Sequence, residues 1–284
     1  MLALSSDTLV RLFFCLLSTH RNNQLLIQSS VTVKLSFIKM ASNPPGICCL
    51  TGVKHEGAVS GKIIDFHGVE TYITGDVSSK KVILFITDIF GHVFSNAQLI
   101  ADDFAEQGYL VLVPDILKGD PVPWDYFDKL QDFDLGTWLT KHPKEVTEPI
   151  VEAVLAGIKA DYSPTSIAAI GYCYGAKYVV RLLGAGKIDA GGIAHPSFVD
   201  YEEIEAVTKP LNIQAAETDP IFPVENRIKT EAILTKNKAI YEISVYSGVV
   251  HGFAVRGDPK VPQTLYAKER AFFSFAAFFK FHLK

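Results

Sequence analysis

From residue 61 onward, short apolar runs alternate with stretches whose apolar positions recur at helical spacing. KIIDF (62–66) and VETYIT (69–74) flank the turn dipeptide His67-Gly68 and predict a β-hairpin. KVILFIT (81–87) is continuously apolar, as a parallel strand buried on both faces must be. Residues 95–107 place Leu99, Ile100, Phe104 and Ala105 on one helical face and stop at Gly108. The alternation continues with a strand at 109–115, a helix at 145–160, a strand at 166–172 and a helix at 174–183. Strands at 190–195, 211–217 and 239–247 follow, and a Phe-rich helix at 263–281 closes the chain. This order predicts an α/β protein with one mostly parallel sheet and helices on both faces. Residues 118–143, with two tryptophans and several prolines, do not fit the repeat. They read as an excursion over one edge of the sheet, suited to covering a pocket.

The chain has 284 residues, of which 48% are hydrophobic and 20% charged, enough for a large core. Its net charge of −4, without Lys/Arg clusters, argues against a nucleic-acid partner. Residues 1–39 differ from the rest: LVRLFFCLLS (9–18) is too short to span a membrane and is interrupted by Arg11. They are expected to be a poorly ordered extension preceding a single domain at 40–284, so that a chain beginning at Met40 keeps its fold and activity. Arg11, Arg21, Lys34 and Lys39 against the lone Asp7 leave a mitochondrial presequence open; otherwise the expectation is a cytoplasmic protein. Cys15, Cys48, Cys49 and Cys173 show neither C-x-x-C pairing nor zinc-ligand spacing, which favours a reducing compartment. The adjacent Cys48–Cys49 reads only as two small residues near the start of the domain. His92 near Asp88 lacks a third ligand in its loop, so no metal is expected.

GYCYG (171–175) carries the chemistry. A G-x-nucleophile-x-G turn from strand to helix strains the central residue and lifts its side chain above the carboxyl ends of the strands. The following helix points its N-terminus at that side chain, which favours a thiolate over a thiol. Two later residues complete a constellation. Asp219 in ETDPIFP and His251 in GVVHGF each come just past a predicted strand, in the order nucleophile, acid, histidine. A histidine is needed to hold and transfer the proton, and an aspartate to orient its ring. Singly, Asp219 would pass as a turn former and His251 as a loop residue. His195, at another predicted strand end, is a candidate to line the pocket, while Tyr172 and Tyr174 read as packing residues.

From about residue 57 the chain resembles the dienelactone hydrolase family, cysteine-dependent members of the α/β-hydrolase fold. The matching stretches are TDIFGH (87–92), ADDFAEQGYLVLVPD (101–115), GYCYGAK (171–177), ETDPIFP (217–223) and HGFAVRGD (251–258). The resemblance implies Cys173 as nucleophile, His251 as general base and acid, and Asp219 as its orienting partner. It also implies an oxyanion hole from the backbone N–H groups of Ile89 and Tyr174. Bacterial members carry a glutamate at the start of the oxyanion loop that holds the thiol; here Asp88, one methylene shorter, occupies that place. Arg256 resembles a family arginine that receives a substrate carboxylate, but lies five residues past the histidine where bacterial members have four. The second family arginine has no counterpart beyond Lys118. The implied function is cofactor-independent hydrolysis of a small lactone or activated ester by a monomer or small homo-oligomer. A metabolite-tailoring hydrolase or acyl-transfer enzyme using the same residues remains open, as does a non-catalytic thiol sensor.

Overall fold

Eight runs of mostly β-branched and aliphatic residues assemble a single sheet in the computed structural model, which describes residues 40–128 and 132–284. The expectations for residues 1–39, Cys15 among them, lie outside the described residues. The strands are β1 (Lys62–Phe66), β2 (Val69–Thr74), β3 (Lys81–Ile86), β4 (Leu110–Pro114), β5 (Ser166–Tyr172), β6 (Ala190–Ala194), β7 (Leu211–Thr218) and β8 (Tyr241–Val250). They lie in the order β1-β2-β4-β3-β5-β6-β7-β8. The β1–β2 hairpin turns through His67 and Gly68, both at positive φ, the two-residue geometry that matches strand twist. The Asp65 carboxylate accepts the Gly68 N–H at 3.0 Å and pins this turn. Strand β2 pairs antiparallel with β4, and all pairings from β4 to β8 are parallel. The predicted mostly parallel sheet is thus observed.

Helices cover both faces. They are α1 (Ser95–Glu106), α2 (Leu135–Lys141), α3 (Lys144–Tyr162), α4 (Ala176–Gly184), α5 (Tyr201–Glu205), α6 (Val224–Lys236), α7 (Phe253–Arg256) and α8 (Pro262–His282). Consecutive glycines of β6 display the two layers. A side chain on Gly191 would strike Val179 and Leu183 of α4, and one on Gly192 would strike Phe275 and Phe279 of α8. Because alternate strand residues face opposite ways, α4 and α8 lie on opposite sides. Strands β3, β4 and β5 are almost wholly buried, as their unbroken apolar composition requires.

The sequence pattern did not predict α2, α5, α6 or α7. Helix α6 is largely exposed and buries only Thr230 and Leu234, so it carries little apolar periodicity. The excursion at 118–143 contains a 3₁₀ turn (Trp124–Asp128) and α2, whose first turn is capped by Asp134 through the Thr137 N–H at 2.9 Å. Among the described residues, no helix is long and apolar enough to cross a membrane.

Candidate active site

The carboxyl ends of β5, β7 and β8 converge on three side chains. Strand β5 ends at Tyr172, and Cys173 opens a 3₁₀ turn (Cys173–Gly175) that runs directly into α4. Cys173 has φ +49°, the left-handed region that side chains avoid, so the turn holds it in a strained conformation. The strain persists because the two glycines permit close contact around it. A Cβ on Gly175 would lie 2.2 Å from the Ile86 carbonyl oxygen, and one on Gly171 would lie 2.7 Å from the Gly175 oxygen. Both obstacles are backbone and cannot rotate away. Gly175→Ala is therefore expected to lower stability by about 1–3 kcal/mol and to depress turnover by shifting the sulfur. Thermal melting together with kinetics checks this; an unchanged melting temperature would contradict it.

A register shift between Ala216 and Thr218 pairs Thr218 with Val250, which brings the next residues, Asp219 and His251, together. His251 Nδ1 lies 3.0 and 2.9 Å from the two Asp219 carboxylate oxygens, and Nε2 lies 3.2 Å from Cys173 Sγ. The Asp219 carboxylate also accepts the Ile221 and Phe222 N–H groups, at 2.8 and 3.1 Å. The two readings of Asp219 are thus compatible, because one carboxylate forms the turn and orients the ring. All three residues are buried.

Burial alone would raise the Cys173 thiol. The Cys49 hydrogen bond, the charge of His251 and the nearby Arg256 outweigh it and hold Cys173 well below its ordinary range. Burial likewise opposes a charged imidazole, but Cys173 and Asp219 together push His251 up to about 10. The pair is best described as thiolate and imidazolium near neutrality, titrating as one unit.

Ile89 and Tyr174 flank the sulfur's end of the sheet, since Gly175 packs on the Ile86 and Thr87 carbonyls. Among the described residues, the Ile89 N–H donates to no backbone carbonyl. The Tyr174 N–H, in the first turn of its helical segment, has no partner within that turn. The Tyr174 hydroxyl is used in packing: it donates to the His142 carbonyl at 2.7 Å and lies 2.8 Å from Thr147 Oγ1.

Asp88 does not bond the thiol: its carboxylate pairs with the Arg256 guanidinium and accepts the Phe90 N–H. Arg256 is itself 1% exposed, as buried as Cys173 and His251, and among the described residues its Nη2 has no hydrogen-bond partner. It holds the preceding segment: Nε donates to the Thr51 carbonyl at 3.0 Å, and its own carbonyl accepts the Val53 N–H at 2.9 Å. His195 is fully buried at φ +37°, with neither ring nitrogen hydrogen-bonded. It packs 5.0 Å from the His251 ring centroid, and burial with the adjacent His251 and Arg256 charges keeps it neutral. Lys118 is exposed on its loop.

One residue of the site was missed. Cys49, in a 3₁₀ turn (Ile47–Leu50), is fully buried with Sγ 3.5 Å from Cys173 Sγ and 3.4 Å from His251 Nε2. The only signal was the unexplained Cys48–Cys49 pair. Its turn touches the 3₁₀ turn of the excursion, and Lys54 lies over the Trp124 ring at 4.7 Å. Of these two segments, the one that carries Cys49 is the one in contact with the thiol. A cavity of about 580 Å³, lined by Val53, His55, Asn96 and Lys268 among others, reaches none of the three convergent residues.

The sequence profile of the dienelactone hydrolase family matches residues 69–283. Over 255 residues the chain is 43% identical to hydrolase tropI of Talaromyces stipitatus, covering 86% of this chain and 99% of that protein. It is 42% identical over 247 residues to hydrolase pyvD of Aspergillus violaceofuscus, covering 86% and 100%. Among solved structures, a dienelactone hydrolase-like promiscuous phosphotriesterase from metagenomic libraries superposes with a TM-score of 0.63 at 16% identity. That superposition covers 80% of this chain and all of the other, and identifies the α/β-hydrolase fold.

Proposed function

The chain belongs to the dienelactone hydrolase family, and we propose that it hydrolyses lactones and activated esters through a Cys173 thioester. The observation that carries the reading is the Cys173–His251 contact at 3.2 Å with Asp219 bonded behind the ring. The thiolate attacks the substrate carbonyl, and the developing oxyanion is received by the Ile89 and Tyr174 N–H groups. His251, already protonated, gives its proton to the leaving oxygen. It then takes one from the water that hydrolyses the thioester, while Asp219 stabilises the imidazolium. A complete His251–Asp219 pair supports catalysis over simple sensing, since a sensor needs only the reactive thiol.

The nucleophile also restricts the substrate. After attack, the tetrahedral intermediate expels either the thiolate or the original leaving group. A thiol of ordinary pKa about 8.5 leaves more readily than an amine or simple alkoxide, so those adducts revert. Enols and phenols are closer to the thiolate in basicity and compete. Turnover is expected for enol-lactones and p-nitrophenyl esters of short acids, with little for amides or simple alkyl esters. Steady-state rates on that panel, with Cys173→Ala as blank, test the proposal. Efficient cleavage of an alkyl ester or peptide would overturn it.

A further inference from the structure

Cys49 has no part in this hydrolytic scheme, yet it touches both reacting groups. Its sulfur is 3.5 Å from Cys173 Sγ and 3.4 Å from His251 Nε2. Hydrogen bonds with Cys173 and Cys48, reinforced by burial, hold its thiol well above the ordinary range, so it stays protonated beside the Cys173 thiolate. Two sulfurs this close need to move only about 1.5 Å to reach bonding distance. Neither is in a disulfide now.

We propose that Cys49 is a resolving cysteine: after a hydroperoxide oxidises Cys173, Cys49 closes a reversible Cys49–Cys173 disulfide that stops the enzyme and spares its nucleophile. The first step requires the fully buried Cys173 to be uncovered, as any substrate also requires. The Cys173 thiolate attacks one peroxide oxygen, the O–O bond breaks, and the departing hydroxide takes the His251 proton to leave as water. Cys173 is now a sulfenic acid and His251 is neutral. His251, within reach of Cys49, takes the Cys49 proton. The Cys49 sulfur then attacks Cys173 Sγ, the S–O bond breaks, and the hydroxide leaves with that proton as a second water. Two thiols are oxidised by two electrons and one hydrogen peroxide is reduced to two waters. One histidine thus serves both sulfurs.

The neighbours explain why Cys49 has this role. Ser197 Oγ also approaches Cys173 Sγ, at 3.6 Å, but a hydroxyl cannot form the sulfur–sulfur bond. Cys48 lies beside Cys49, is only partly buried, and has no hydrogen bond to Cys173. Without an adjacent thiol, a sulfenic acid continues to sulfinic acid, which thiol reductants do not reverse. The disulfide would also tie the turn that carries Cys49 to the start of α4.

The inference rests on Cys173 being the reactive thiolate, but its test reads the state of sulfur and requires no turnover, so it can fail while the hydrolase reading stands. The full chain is treated with graded hydrogen peroxide in chelator-containing buffer, blocked with N-ethylmaleimide and digested with trypsin without reduction. The chelator matters because the donor atoms of Cys49, Cys173 and His251 lie within 4.8 Å of one another and could take up a metal ion. Mass spectrometry is expected to find peptide 40–54 linked to peptide 160–177, the link vanishing with dithiothreitol as ester hydrolysis returns. Cys48→Ser should keep the link. Cys49→Ser should lose it, accumulate sulfinic acid at Cys173 and recover no activity. Wild-type protein whose Cys173 proceeds to sulfinic acid without the linked peptide, or stays reduced throughout, would overturn the proposal without recourse to any variant.

Discussion

Cys173→Ser is expected to lose at least about 10³-fold in kcat/KM on p-nitrophenyl acetate while keeping its fold. The substitution nearly preserves volume, and serine meets the same backbone strain at φ +49° as cysteine. What changes is the charge. The site stabilises an anion at this position through His251, Cys49 and Arg256, and a hydroxyl is too weak an acid for them to ionise near neutrality. The oxygen also sits on a shorter bond, so it lies farther from His251 Nε2 than the 3.2 Å of the sulfur. Rates measured beside circular dichroism decide the matter. A folded serine variant with near-native turnover would mean that the thiolate is not what the site was built to hold.

Arg256→Ala should be the most destabilising single change near the site, at about 3–5 kcal/mol, because it leaves Asp88 buried and unpaired. Burial already pushes the Asp88 carboxyl up against the opposing pull of Arg256. Without that pull Asp88 would protonate or draw in water, and the loop bearing Ile89 would shift. Thr51 would lose the Nε–H bond to its carbonyl as well, which loosens the turn that carries Cys49, while the backbone bond from Val53 to residue 256 would remain. Hydrolysis should therefore fall on acidic and neutral lactones alike. Urea unfolding and a two-substrate comparison check both halves. A selective rise in KM for acidic lactones, with stability unchanged, would restore the carboxylate-receiving role that family resemblance implies.

The fold was legible because burial on both faces leaves an unmistakable trace. KVILFIT, YLVLVPD and SIAAIGY could hardly be anything but central strands, and each is one. Helix α6 was not legible, since an exposed helix needs no apolar stripe. The convergence of Cys173, Asp219 and His251 followed from their order just past β5, β7 and β8. The positions of Asp88 and Arg256 did not, because the choice of partner between two buried charges depends on a methylene and on distances that spacing does not encode. Cys49 was the hardest to read. It reaches Cys173 across 124 residues of chain, from a segment without a strand or long helix to fix its position.

The most direct test of the central claim is to catch the acyl-enzyme. Mixing the protein with a slowly deacylating p-nitrophenyl ester and quenching in acid within the first turnovers should give a burst of p-nitrophenol. Intact mass should increase by one acyl group, and that group should map to peptide 160–177 and be released by neutral hydroxylamine, as a thioester is. A burst with the acyl group on any residue other than Cys173, or full turnover with no acylated protein when hydrolysis of the thioester is made rate-limiting, would contradict the account.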